Sequence, residues 1–329
     1  MNSLIENNVR SNDLKTHEYV KRQELIDISL RLLKLGLVVR TWGNMSLRLD
    51  DRHILITPSG IRYEDLEQED IVCVEIDSGK VLSDNFGQRE ASSELPVHLA
   101  YYRLMTDTQV VLHTHQIYGS ALSLYGEDVE APKELSEQIN CKVVPISAYG
   151  ISGSRMLHNN VEEKIDSSGS SIILMEKHGV LARGISVEET ISRLEALEDW
   201  CEKKYRAIVK KAIENDCLKK EISKRRIFPY LDDFAQICGV EVDIGGKDVW
   251  TLERDMLTNE KMTMEILSNV NHGDLDSAKH VFFKNLKARV VGIARGVEPL
   301  SKADGEFMRW KYKESYSRKA DIKGKNENI

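Results

Sequence analysis

The sequence has no long apolar run. Nowhere does it approach the ~20 consecutive apolar residues of a membrane span, and its start, Met1-Asn2-Ser3-Leu4-Ile5-Glu6-Asn7-Asn8, is polar where an export signal carries an apolar centre. A membrane partner is excluded, and a soluble, unexported protein is expected. Positive charge is also short: the formal net charge is -7, so the field on which polyanion binding depends is missing and a general nucleic-acid binder is excluded. The five cysteines, Cys73, Cys141, Cys201, Cys217 and Cys238, are odd in number, scattered and free of CxxC spacing. That pattern offers neither a disulfide framework nor a thiolate zinc site, and it fits a reducing cytoplasm. No internal repeat is visible.

What is present is enough for a real core: 41% of the 329 residues are hydrophobic, which suits one large domain or two modest ones. Leu25, Ile28, Leu32 and Leu33 follow helical spacing and predict a helix over Glu18 to Leu35, closed by Gly36. A Gly43-Asn44 turn then leads into alternation of Met45, Leu47 and Leu49, followed by strands at 53–56 and 71–76. The hairpin turn Asp77-Ser78-Gly79-Lys80 predicts that this early sheet is antiparallel. Ser92 or Ser93 is an N-cap for a helix through Leu104, which places Glu94 at a helix N-terminus. Pro145 marks 143–146 as an edge strand, and the Gly150 to Ser154 loop reads as a turn and N-cap for a helix towards Ile165. Ser186-Val187-Glu188-Glu189 is a capping box for a long helix reaching about Asn215. From Lys219 the composition turns basic, and the boundary between a domain at 1–218 and an extension at 219–329 is placed there. The extension predicts helices at 231–238, 252–267, 274–294 and 304–317, a strand and turn at 239–246, and a fraying tail from Arg318.

The chemistry concentrates in three places. Val110-Val111-Leu112-His113-Thr114-His115 is an apolar run ending in two histidines, and the period of 2 of a strand puts both imidazoles on one face with Thr114 turned away. A second run, Ile172 to Met175, leads into Glu176-Lys177-His178-Gly179, and Ser92-Ser93-Glu94 opens the helix that carries His98. Three neutral imidazoles and one carboxylate form the ligand set of a divalent transition metal with room for substrate. A lone histidine on an apolar strand is more often structural, but three in these contexts with a helix-initial carboxylate make a site. His98, one turn after Glu94, reads as a packing or supporting residue. Ser92 and Ser93 stand at the positive end of a helix, where an anion is favoured by ~0.3–1 kcal/mol.

From about Glu24 to Ala212 the chain resembles the class II aldolase/adducin family, through Trp42-Gly43-Asn44-Met45-Ser46, Ile56-Thr57-Pro58-Ser59-Gly60, Ser92-Ser93-Glu94, His113-Thr114-His115 and His178-Gly179. The resemblance implies an α/β sandwich with a central mainly antiparallel sheet flanked by helices, here with a small mainly helical C-terminal region. It also implies a cytoplasmic homotetramer whose partner is a small-molecule sugar phosphate. His113, His115 and His178 match the zinc ligands, and Glu94 matches the carboxylate that touches the metal at rest and then serves as acid/base. Asn44, Ser59, Gly60, Ser92 and Ser93 match positions that hold the substrate phosphate. The activity implied is a zinc-dependent retro-aldol cleavage of a ketose phosphate. A 4-epimerase or dehydratase on the same site is the alternative, and a non-catalytic adducin-like scaffold is the reading from another class. One departure bears on this choice. Aldolases of the family place a tyrosine near the segment corresponding to 130–138, where this chain reads Ala131-Pro132-Lys133-Glu134-Leu135. Lys133, Glu134, Tyr149 or a residue brought over by the extension would have to replace it.

Overall fold

The computed structural model describes residues 2–82, 89–214 and 275–297, with the isolated positions 303, 304 and 307. The helices expected at 231–238 and 252–267, the strand and turn at 239–246, most of the helix at 304–317 and the tail from Arg318 lie outside these residues. In chain order the described elements are α1 (Asn2–Lys34), β1 (Asn44–Arg48), β2 (His53–Ile56), β3 (Val72–Glu75), α2 (Leu95–Leu104), β4 (Val110–Thr114), α3 (Ile117–Leu122), β5 (Val129–Glu130) and α4 (Lys133–Ile139). They continue as β6 (Val143–Val144), β7 (Ile146–Ser147), α5 (Arg155–Ser168), β8 (Ile172–Met175), β9 (Gly179–Gly184), α6 (Val187–Glu214) and α7 (Leu275–Arg295).

Seven strands make one sheet in the order β3-β2-β1-β4-β9-β8-β7, antiparallel throughout except where β7 runs parallel to β8, and β5 pairs with β6 in a separate ribbon. The sheet is mainly antiparallel and flanked by helices on both faces, as the sequence leads one to expect. Alternation along each strand splits the core. Val110 and Leu112 of β4 pack with Leu25 and Leu32 of α1 and with Ile191 and Leu194 of α6, whereas Val111 turns to the face covered by Val97 and Tyr101 of α2 and Val161 of α5. Pro145 separates β6 from β7, so the expected edge segment is two short pieces serving two sheets.

Two helices begin elsewhere than expected. Helix α1 extends back to Asn2 because no proline or glycine interrupts residues 2–34. Helix α2 takes Glu94 as its N-cap with no side-chain cap, because Ser92 Oγ instead accepts from Glu94 N at 3.2 Å. Helix α3 starts at Ile117, where Tyr118 N and Gly119 N donate to the two oxygens of Glu198 on α6 at 2.7 and 2.8 Å. Such a cap from a distant helix leaves no trace in the local sequence. Helix α7, the described part of the extension, packs on α3 and α6, and its Phe282, Phe283, Leu286, Val290 and Val291 belong to the same apolar cluster as α1 and α6.

Candidate active site

The sheet register assembles the site at one end of β1, β4, β8 and β9. Asn44 at the start of β1 pairs with His113 near the end of β4, and Thr114 pairs with Val180 just past the β8–β9 turn that carries His178. Two glycines permit this closeness. A Cβ on Gly43, which sits at φ +95°, would meet His113 O at 2.5 Å, and one on Gly179 would meet Thr114 O at 2.5 Å. Backbone runs against backbone at both places, so only glycine fits. Lys177, beside His178, takes a left-handed φ of 58°, a conformation that non-glycine residues hold only when their surroundings enforce it.

The three histidines expected as ligands come together. One potential ligand atom from each of His113, His115 and His178 can be chosen so that all lie within 4.8 Å of one another. His113 Nε2 and His115 Nε2 stand 2.9 Å apart, and Glu94 bridges the group, with Oε2 3.2 Å from His113 Nε2 and Oε1 3.2 Å from His178 Nε2. His113 Nδ1 donates to Val180 O at 2.9 Å, which leaves its Nε2 lone pair facing the centre, the tautomer a metal requires. Burial, helped by neighbouring Lys284 and His113, pushes the His115 imidazole well below its usual pKa and keeps it neutral, again the form that coordinates. This donor set fits one divalent cation.

Glu94 is buried. Burial alone drives its carboxyl upward, but His178, His113 and a hydrogen bond from Asn44 together hold it well below the usual carboxylate range. Behind it runs a polar chain through the core. Asn44 Nδ2 donates to Glu94 Oε2 at 3.0 Å, His98 Nε2 donates to Asn44 Oδ1 at 2.5 Å, and Ser46 Oγ, itself 3.0 Å from Tyr102 OH, donates to His98 Nδ1 at 2.7 Å. Burial pushes His98 down to about 3, so it is neutral and can hold these two opposite roles. On the other side Ser152 Oγ donates to Glu94 Oε1 at 2.7 Å. The 150–154 loop therefore does more than cap α5 through Ser154.

The residues expected to hold a phosphate fall into two groups. Asn44 has its amide engaged by Glu94 and His98, so it orients the carboxylate. The Thr57–Gly60 turn is zipped to the chain before α2, with Ser59 N donating to Glu90 O at 3.0 Å and Ser92 N to Thr57 O at 3.3 Å. That pairing brings the segment of Ser59 and Gly60 alongside that of Ser92 and Ser93. Of the candidates for a second acid/base, Lys133 and Glu134 are exposed on α4, and Tyr149 places its ring 5.3 Å from Lys177 Nζ with its hydroxyl buried and unpartnered.

The extension supplies contacts that sequence reasoning left unnamed. His280 Nε2 donates to His115 O at 2.8 Å, while His115 N donates to Leu37 O at 3.0 Å. Lys284 Nζ lies 2.5 Å from His115 Nδ1 and 5.1 Å from the Trp42 ring centroid. Burial pulls its amine down to about 7 against the upward pull of Glu94. A signal for these residues exists in the spacing of His280, Lys284 and Lys287, a basic stripe along one face of a helix whose Phe282, Phe283, Leu286, Val290 and Val291 are apolar.

Comparison with known proteins bears on this geometry. A model of the class II aldolase and adducin N-terminal domain matches residues 23–205, more than half of the chain. The chain is 28% identical over 188 residues to 5-deoxy-D-ribulose 1-phosphate aldolase of Bacillus thuringiensis serovar kurstaki, covering 56% of this chain and 84% of that one. It is 29% identical over 173 residues to L-fuculose phosphate aldolase of Escherichia coli strain K12, covering 51% and 75%. A solved structure of L-fuculose 1-phosphate aldolase matches with a TM-score of 0.50 at 28% identity, over 57% of this chain and 85% of that one.

Proposed function

Starting from the fact that the chain belongs to the class II aldolase and adducin family, we propose that it is a zinc-dependent aldehyde-lyase that cleaves a ketose phosphate by a retro-aldol reaction. The observation that carries this reading is the meeting of His113, His115 and His178 around the Glu94 carboxylate. His113, His115 and His178 would hold the zinc, which when bound would supply positive charge, undiminished by three neutral imidazoles, to offset the negative charge that C–C cleavage leaves on the substrate.

The protein's own groups do the rest. Glu94 begins ionised, in keeping with the low pKa its neighbours impose, and takes or returns the proton at a carboxylate oxygen. Asn44 and Ser152, one on each carboxylate oxygen, fix the direction in which it works. The hydroxyls of Ser59, Ser92 and Ser93, with the backbone at Gly60, bind the phosphate; Ser92 Oγ accepts from Glu94 N, and its own O–H remains to donate. The assembly proposed is a cytoplasmic homotetramer. No helix among the described residues is long and apolar enough to cross a membrane.

A 4-epimerase or dehydratase on the same site is the second reading. It is favoured by the exposure of Lys133 and Glu134, which stand where an aldolase of this family would place its tyrosine. A scaffold without chemistry gives no reason for a buried carboxylate set between two imidazoles. The deciding experiment incubates the zinc-loaded protein with a panel of ketose phosphates and follows products by NMR. An aldehyde with a small ketone phosphate is the expected outcome. Inversion at C4 without cleavage, or loss of water, replaces the lyase with the second reading.

A further inference from the structure

His98 is a fully buried histidine to which the proposed reaction gives no role. It belongs to a ladder built from two periods. Glu94, His98 and Tyr102 follow one another at helical spacing along α2, and Asn44 and Ser46 stand two apart on one face of β1. The five side chains interleave as Tyr102, Ser46, His98, Asn44 and Glu94, each within hydrogen-bond distance of the next. An amide has a donating and an accepting end, so Asn44 turned over would set Oδ1 against the Glu94 carboxylate, acceptor against acceptor. Nothing within Asn44 prevents that turn.

The far end of the ladder decides the direction of every bond. Among the side chains of the described residues, the partner of the buried Tyr102 hydroxyl is Ser46 Oγ. A buried O–H that donates to nothing is costly, so Tyr102 donates to Ser46, and the Ser46 hydroxyl is left to donate to His98 Nδ1. A ring that accepts at Nδ1 carries its hydrogen on Nε2, the atom that faces Asn44 Oδ1. The Asn44 amide is thereby locked with its N–H toward Glu94 Oε2. Resting on the function proposed above, we propose that His98 is a positioning residue of the reaction, which fixes the Asn44 amide and through it the orientation from which the Glu94 carboxylate transfers its proton. It touches no substrate and acts through Asn44 alone.

The test uses the full zinc-loaded chain and dihydroxyacetone phosphate, a small ketone phosphate, in D2O. Proton NMR follows the exchange in which a proton leaves carbon and a deuteron from solvent returns to it, a step that needs the transferring group but no second substrate. Wild type is compared with His98→Phe, His98→Gln, Asn44→Ala and the double variant His98→Phe with Asn44→Ala, and zinc content and urea unfolding are measured on each. In His98→Phe, kcat per loaded site is expected to fall about 10–100-fold with KM within about twofold. His98→Gln, whose amide N–H stands in for Nε2–H, is expected to recover most of the loss, and His98→Phe is expected to add nothing once Asn44→Ala is present. Ser46→Ala, which removes the donor to Nδ1, gives a second route to the same loss where His98→Phe does not fold. Independently of turnover, nitrogen-15 NMR of histidine-labelled protein is expected to find the His98 hydrogen on Nε2. A hydrogen on Nδ1, wild-type kcat in His98→Phe, or losses that add in the double variant each overturn the inference and leave the proposed function standing. Exchange absent from the wild type removes the proposed function and this inference together.

Discussion

His113 and His115 are two residues apart in sequence, yet opposite parts of the molecule hold them. His113 is fully enclosed in the sheet, and the group behind its ring is the carbonyl of Val180 on the neighbouring strand. His115 lies just past the strand, and the group behind its ring is the side-chain nitrogen of Lys284 on the extension. A carbonyl raises the basicity of the ring that donates to it, whereas burial beside Lys284 lowers the pKa of the other ring. One half of the ligand set is thus insulated by the fold, and the other half answers to what α7 does.

Removing one side of this comparison altogether has the largest expected effect. A chain ending after Glu214 loses α7, whose five large apolar side chains, Phe282, Phe283, Leu286, Val290 and Val291, are buried. At about 1.5–3 kcal/mol for each such side chain, the loss rivals the about 5–15 kcal/mol that holds a typical protein folded. The truncated protein is expected to be insoluble or metal-free, as solubility and elemental analysis would show. A soluble, metal-binding truncated chain would show that the extension from residue 219 is a separate domain. Next comes the sheet side: His113→Ala is expected to lower metal content from one per chain to near none, and wild-type stoichiometry in that variant would remove the site as described. Glu94→Gln leaves the histidines in place and is expected to keep the metal while kcat falls by ~10²–10⁴. Near-normal turnover would take the acid/base role from Glu94.

The smallest effect belongs to the cap of the helix that follows His115. Glu198, which caps α3 just after His115, is pushed by burial from 4.5 up to about 6, although its hydrogen bonds from Tyr118 and Gly119 pull it down. A folded-state pKa above the unfolded one means that the native protein holds the proton more tightly. The contribution of Glu198 to stability is therefore fullest below about pH 4.5 and falls as pH rises through about 6, by about 1–2 kcal/mol. Glu198→Gln removes that step. The stability difference between variant and wild type, followed by urea unfolding, should swing in favour of the variant across this window; a difference independent of pH would show that Glu198 has the same pKa in both states.

The parts of this comparison differ in how far the sequence disclosed them. The sheet side was legible because its signals are local: an apolar run ending in His113 and His115, another ending at His178, and glycines at 43 and 179 where backbone must approach backbone. Asn44 was legible as a site residue, but its engagement with His98 was not, because the chain from Tyr102 through Ser46 to Glu94 joins α2 to β1 through side chains alone. Ser152 looked like an ordinary turn residue, since nothing nearby indicates that its loop meets Glu94 across 58 positions. Lys284 reaches His115 across 169 positions. Periodicity predicts the helix that carries it, but where that helix docks is set by the apolar surface of α3 and α6.

The docking of α7 also sets an order of events during synthesis. His178, the last of the three histidines, precedes Lys284 by 106 positions (284 minus 178). At roughly 5–20 residues per second, translation of that interval takes roughly 5–20 s. The nascent chain therefore holds Glu94 and all three imidazoles before the ribosome has made the segment that closes over them, so a metal ion arriving in that interval meets a cradle still open on one side.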